Sequence, residues 1–78
     1  RKQAARELGY QATLRALEPL IYAIGNETDA TVRYLAAKSL GILGYREALP
    51  ALRKAADSDP DEVVRNEAQD SINRIFRR

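Results

Sequence analysis

The sequence predicts an all-α solenoid, in which short helix pairs stack and each buries its apolar face against its neighbours. Three observations carry this expectation. The 78-residue chain repeats itself at an offset of 32 positions with no gap. Its apolar residues recur at helical spacing between turn residues, and no segment sustains the alternation of a strand.

At that offset about 15 of 46 aligned pairs are identical, where chance would give roughly three or four. Ala4-Ala5 lands on Ala36-Ala37, Leu8-Gly9 on Leu40-Gly41, and Ala16-Leu17 on Ala48-Leu49. Asp29 lands on Asp61, and Val32-Arg33 on Val64-Arg65. Arg1 aligns with Arg33, inside a unit, so the chain reads as about two and a half units and as a piece of a longer array. The expected division is 1–13 as the second helix of a truncated unit, then units 14–44 and 45–78.

Residues 1–13 carry Ala4, Ala5 and Leu8 on an apolar face that lacks an earlier unit to cover it. This motivates an expectation of self-association through open solenoid ends. Next, Leu14, Leu17, Leu20, Ile21 and Ile24 mark one face of a helix ended by Gly25-Asn26. Pro19 and Pro50 occupy nearly equivalent places, one position apart in register, and both read as first-turn residues. The following helix spans about Asp29 to Leu43, with Thr28 or Asp29 as its cap and Gly44 as its stop. Its predicted buried stripe is Val32, Leu35, Ala36, Leu40 and Leu43. A third helix covers Arg46 to Ala56, with Leu49, Leu52, Ala55 and Ala56 inward. Asp59 as cap, Pro60 at the first helical position and Glu62 then start a last helix, which buries Val64, Ala68, Ile72 and Ile75. Ala4, Ala5, Ala36, Ala37, Ala68 and Gly41 sit where helices must approach closely.

Composition narrows the chemistry. Apolar residues are 45% of the chain and charged residues 31%, a globular balance. There is no Cys and no His, so disulfides, thiolate metal sites and the usual general base are missing. The net charge of +2 does not by itself imply nucleic acid. The longest apolar run, Leu20 to Ile24, is far short of a bilayer span, and no signal-peptide pattern is visible. The expectation is a cytoplasmic protein with no membrane partner.

Asp29-x-x-Val32-Arg33, Ala36-Ala37-x-x-Leu40-Gly41-x-Leu43-Gly44 and Ala48-Leu49-Pro50-Ala51-Leu52 resemble HEAT repeats. The nearest variety is the short HEAT-like repeat of phycobilisome (phycobilin) lyases, and Ala16-Leu17-Glu18-Pro19-Leu20 matches the same pattern one unit earlier. The last helix departs from it at Gln69, Asn73 and Arg74, as a solvated terminal helix would. The resemblance implies that second helices line a concave face. It also implies that Asp29, Arg33, Asp61 and Arg65 form a structural ladder, each Arg reaching a neighbouring acid or carbonyls. An iron hydroxylase belongs to the same family, and its His-Glu metal motifs have no counterpart here.

On the concave face the expected exposed residues are Lys2, Arg6, Tyr34, Lys38, Asn66, Gln69, Asp70 and Asn73. Arg6, Tyr34, Lys38, Gln69 and Asn73 are the candidate partner-binding set, with Tyr34 and Lys38, one turn apart, as its centre. No catalytic residues and no metal ligands are assigned. The cluster Asp57, Asp59, Asp61, Glu62 lacks calcium-loop spacing and reads as a turn and cap. The basic ends could hold phosphate, but helix termini explain such charges equally well, so nucleic acid ranks below a protein partner. The expected function is a non-catalytic scaffold that binds a partner protein and needs no cofactor. The alternative, implied by resemblance alone, is part of a bilin-handling lyase that holds a tetrapyrrole in the groove.

Overall fold

The computed structural model describes residues 2–77, with side chains described from residue 9 onward. Four α-helices follow one another: α1 Lys2–Asn26, α2 Ala30–Leu43, α3 Leu49–Ser58 and α4 Glu62–Phe76. A 3₁₀ turn at Arg46–Ala48 leads into α3. No strand occurs among the described residues. α2 and α4 lie side by side as one layer, while α1 and α3 form the other. This is the all-α solenoid that the repeat predicts.

Local chemistry explains the ends of α2 to α4. Asp29 has extended backbone, and its carboxylate accepts the Thr31 N–H at 2.8 Å. Gly44 closes α2 in the left-handed conformation, φ 75°, and its N–H donates to the Leu40 carbonyl at 3.1 Å. Pro50 stands in the first turn of α3, where no intrahelical N–H is lost. The start of α4 differs from expectation. Asp61, not Asp59, is the cap, accepting from Val63 N–H at 2.8 Å and Val64 N–H at 3.3 Å. Pro60 therefore lies outside the helix, and Asp59 is free for another task described below.

Helix α1 is the larger departure. It runs unbroken for 25 residues, with Pro19 inside it, so no new helix begins near residue 16. The junction expected between 1–13 and 14–44 falls within this helix. Register supplies the reason. The residue in the place of Gly44 is Ala12, and a side chain in the left-handed conformation costs about 1–2 kcal/mol. The chain thus has no inexpensive stop there and continues as helix, with Thr13 Oγ1 donating to the Gly9 carbonyl at 2.9 Å. Pro19 lacks the N–H that would serve the Arg15 carbonyl, but both residues are exposed and that carbonyl is left to solvent. At 1.5 Å per residue α1 spans about 37 Å, which accounts for most of the longest dimension of the 44 × 25 × 18 Å molecule.

The core contains Leu17 and Ile24 of α1, Ala36, Ala37 and Leu40 of α2, Leu49, Leu52 and Ala55 of α3, and Val64, Ala68, Ile72 and Ile75 of α4. Burying side chains such as Leu40 and Leu52 contributes roughly 2 kcal/mol each. The closest approach is between α2 and α4. A Cβ placed on Gly41 would lie 2.6 Å from the Cβ of Ser71, so only glycine fits. Ser71 is fully buried, and its hydroxyl donates to the Ala37 carbonyl at 2.7 Å. Ala36, Ala37 and Ala68 occupy tight positions as expected, whereas the side chains of Ala4, Ala5 and Leu8 lie outside the described residues.

The buried stripe of α2 needs correction. Val32, Leu35 and Leu43 are 38%, 52% and 44% exposed, and Ala37 and Gly41 take their places in the core. The helical period holds, but one of the two neighbours that it serves is displaced. α1 is unbroken, and at Gly9 it meets nothing within 4 Å, so it does not cover this side of α2 there.

Candidate functional site

The inner layer, α2 and α4, holds the described members of the predicted binding set. Tyr34 is half-buried on α2, and Lys38, one turn later, is exposed. On α4, Gln69 and Asn73 are exposed and joined by a bond in which Gln69 Nε2 donates to Asn73 Oδ1 at 3.1 Å. Asn66 and Asp70 are exposed beside them. Arg6, with Lys2, lies outside the residues whose side chains are described.

Tyr34 does not stand alone. It lines a groove of about 260 Å³ between the amino ends of α2 and α4, with Ala30, Thr31, Asp61, Val63 and Val64. Val63 is 60% exposed and gives the groove an apolar wall. The capping carboxylate of Asp61 already accepts two backbone N–H groups at its edge. Sequence reasoning found Tyr34 but missed its α4 neighbours, because only packing brings residues 34 and 63 together.

The four ladder residues divide into two roles. Asp29 and Asp61 cap their helices. The arginines bind carbonyls at the same offset: Arg33 Nη1 donates to Glu27 O at 2.8 Å, and Arg65 Nη1 to Asp59 O at 2.7 Å. Arg33 also donates through Nη1 to Thr28 O at 2.9 Å and through Nε to Asp59 Oδ2 at 2.9 Å. Its Nη2 reaches Asp59 Oδ1 at 3.3 Å. The pair is largely desolvated, with side chains 11% and 4% exposed, so it ties α2 to the turn before α4. Asp59 is thus an inter-unit clasp rather than the cap expected of it, and Asp61 Nα–H donates to the same carboxylate at 2.9 Å.

A second cleft, of about 590 Å³, opens on the outer layer between the end of α1 and α3. Ile21, Ile24, Pro50 and Ala51 line it, with Lys54 beside them and the paired Arg33 and Asp59 also in its wall. It follows from the seam between successive first helices, and no single motif announced it. At the far end of the molecule, Phe76 lies between two arginines, with the Arg46 and Arg53 guanidinium carbons 5.7 and 5.9 Å from its ring centre. Of the basic tail, Arg74 and Arg77 are exposed, and Arg78 lies outside the described residues. Among the described residues no group of His, Cys, Asp and Glu could hold a metal ion, and no helix is long and apolar enough to cross a membrane.

Comparison with known proteins agrees with this geometry. The chain is 34% identical over 74 residues to deoxyhypusine hydroxylase of Schizosaccharomyces pombe, covering 94% of this chain and 23% of that protein. It is 36% identical over 74 residues to deoxyhypusine hydroxylase of Saccharomyces cerevisiae, with the same coverage. To phycocyanobilin lyase subunit alpha of Picosynechococcus sp. it is 45% identical over 53 residues, covering 68% of this chain and 19% of that subunit. The chain therefore spans about a fifth to a quarter of the length of these relatives. No solved structure gives a significant match. The family described as HEAT repeats matches residues 1–73. A 32-residue unit that returns the same cap and the same arginine-to-carbonyl bond, matched over nearly its whole length, places this chain in the HEAT repeat family.

Proposed function

We propose that this HEAT segment is a non-catalytic scaffold that binds a partner protein through its inner layer, centred on Tyr34 and Lys38. The observation that carries the reading is the groove at Tyr34: an aromatic ring held half-buried between two helices, beside an exposed apolar Val63 and with the exposed Lys38 one turn away. Tyrosine in such a setting offers large contact area at small entropy cost, as interface anchors do. At about 260 Å³ the groove is below the roughly 300–1,000 Å³ of small-molecule pockets, which favours a side chain of a protein partner as occupant. The test is affinity capture from the source cell with Tyr34→Ala, Lys38→Glu and Tyr22→Ala, the last an exposed residue of the outer layer. Loss with the first two and not the third is expected. Loss with Tyr22→Ala alone would move the site to the other layer.

A second reading is favoured by the lyase relative: a bilin-handling segment. The groove expected to hold the tetrapyrrole is small for it, and the outer cleft of about 590 Å³ suits it better in size. Lys54 would there pair a propionate, although no tyrosine lines that cleft. Adding phycocyanobilin to the protein and following its absorbance separates the two. A spectral change abolished by Lys54→Ala supports the bilin reading, and an unchanged spectrum supports the scaffold.

A further inference from the structure

Among the residues whose side chains are described, helix α2 is packed by a second helix of the inner layer on one side only. On that side α4 packs against it, and Val64, Ser71 and Ile75 of α4 are each no more than 2% exposed. The contact is locked by the Ser71 hydroxyl on the Ala37 carbonyl and by the bare Cα of Gly41 against Ser71. The 32-residue register places Val32, Ser39 and Leu43 of α2 at the positions of Val64, Ser71 and Ile75. These residues, with Leu35, form the opposite side of α2, where Val32, Leu35 and Leu43 are exposed. The register likewise places Gly9 at the position of Gly41, yet a Cβ on Gly9 would meet nothing within 4 Å. Both halves of a second lock, Gly9 and Ser39, are therefore present in the chain and are not engaged with each other.

We infer that a second copy of this chain engages them, by reciprocal exchange of the first half of α1. The open side of α2 calls for a helix with a glycine opposite Ser39, and α1 carries one. The continuity of α1 through Ala12 holds that glycine away from its own α2. In a second copy the same segment is free to lie along the open side, in the place that α4 takes on the closed side. The exchange is two-fold and self-complementary, so it closes as a dimer instead of growing as a fibre. Ser39 then donates to a backbone carbonyl of the second copy, as Ser71 does to Ala37. This inference does not depend on what binds at Tyr34.

The test is sedimentation equilibrium of the chain over a wide concentration range, for the parent, Gly9→Leu and Leu35→Glu. A dimer is expected, weakened about tenfold or more by either substitution through overpacking of the close approach or a charge in the apolar seam. Dilute samples of both variants should keep the helical circular dichroism of the parent, because Gly9 faces open space and Leu35 is 52% exposed in the single chain. A chain that stays monomeric at every concentration would overturn the inference. So would a dimer indifferent to Gly9→Leu, which would have formed through another face. Loss of stability in a dilute Gly9→Leu monomer would overturn it too, by showing that the segment docks on its own α2.

Discussion

At the scale of single residues, Asp59 and the two glycines of the register carry the sharpest consequences. The Asp59 carboxylate accepts from Arg33 and from the Asp61 N–H, and its carbonyl accepts from Arg65. Asp59→Ala leaves the Arg33 charge in a largely desolvated place with the Glu27 and Thr28 carbonyls but no counter-ion, and removing one partner of such a pair costs about 3 kcal/mol. Urea denaturation should show this loss, whereas Asp57→Ala, at an exposed position of the same acidic turn, should change stability by about 0.5 kcal/mol or less. Gly41 and Gly9 make a second matched pair. Gly41→Ala drives a Cβ into Ser71 and should cost roughly 1–3 kcal/mol. Gly9→Ala meets open space in a stretch outside the core and should change the stability of the dilute chain by about 0.5 kcal/mol or less. A loss at Gly41 with little change at Gly9, read in one denaturation series, checks the asymmetry of the two sides of α2. The sequence displays both glycines identically, since what separates them is a contact 30 residues downstream of Gly41.

At the scale of helices, the ends that depend on local chemistry were legible and those that depend on a neighbour were not. Asp29, Gly44 and Pro50 act within a few residues of themselves, and each does what its type predicts. The run Asp59-Pro60-Asp61-Glu62 offers two caps two residues apart, and local pattern suits both. Arg33, 26 residues away, draws Asp59 to itself and leaves Asp61 to cap. The stripe of α2 differs from expectation for a similar reason, because periodicity gives a helix its apolar faces but does not say which neighbour arrives. Of the candidate site, Tyr34 and Lys38 are legible by residue type and spacing, but Val63 and Val64 become neighbours of Tyr34 only through packing. The unbroken α1 follows from Ala12 in the place of a stop glycine, and this makes a prediction. Ala12→Gly supplies the left-handed residue at the position that Gly44 occupies in the next unit. Amide exchange at residues 10–14 should then speed by about fivefold or more, since glycine in a helix interior gives up roughly 1 kcal/mol. Gly44→Ala should instead cost about 1 kcal/mol or more of total stability, by straining the end of α2.

At the scale of the whole molecule, the two layers do not share stability evenly. α4 packs on both α2 and α3, and α2 also packs on the second half of α1, so these segments are tied through one core. The stretch from Gly9 to Ala12 is exposed at every residue and contributes nothing to that core. A helical extension of this length is marginal in water, because nucleation and end fraying are not repaid by packing. Opening free energies should therefore fall into two classes. Amides of Leu40, Ala68 and Ile72, in buried helix interiors, should exchange only with global unfolding. Amides of residues 9–12 should exchange orders of magnitude faster in dilute solution, at a free energy near that of local fraying. Raising the protein concentration makes the experiment discriminating. If the exchange of α1 segments covers the open side of α2, protection at 9–12 must rise with concentration by mass action, while that of Leu40 changes far less. Native-state hydrogen exchange at two concentrations measures both classes at once. Protection at 9–12 that equals the core already in dilute solution would mean that α1 is held along its full length within a single chain.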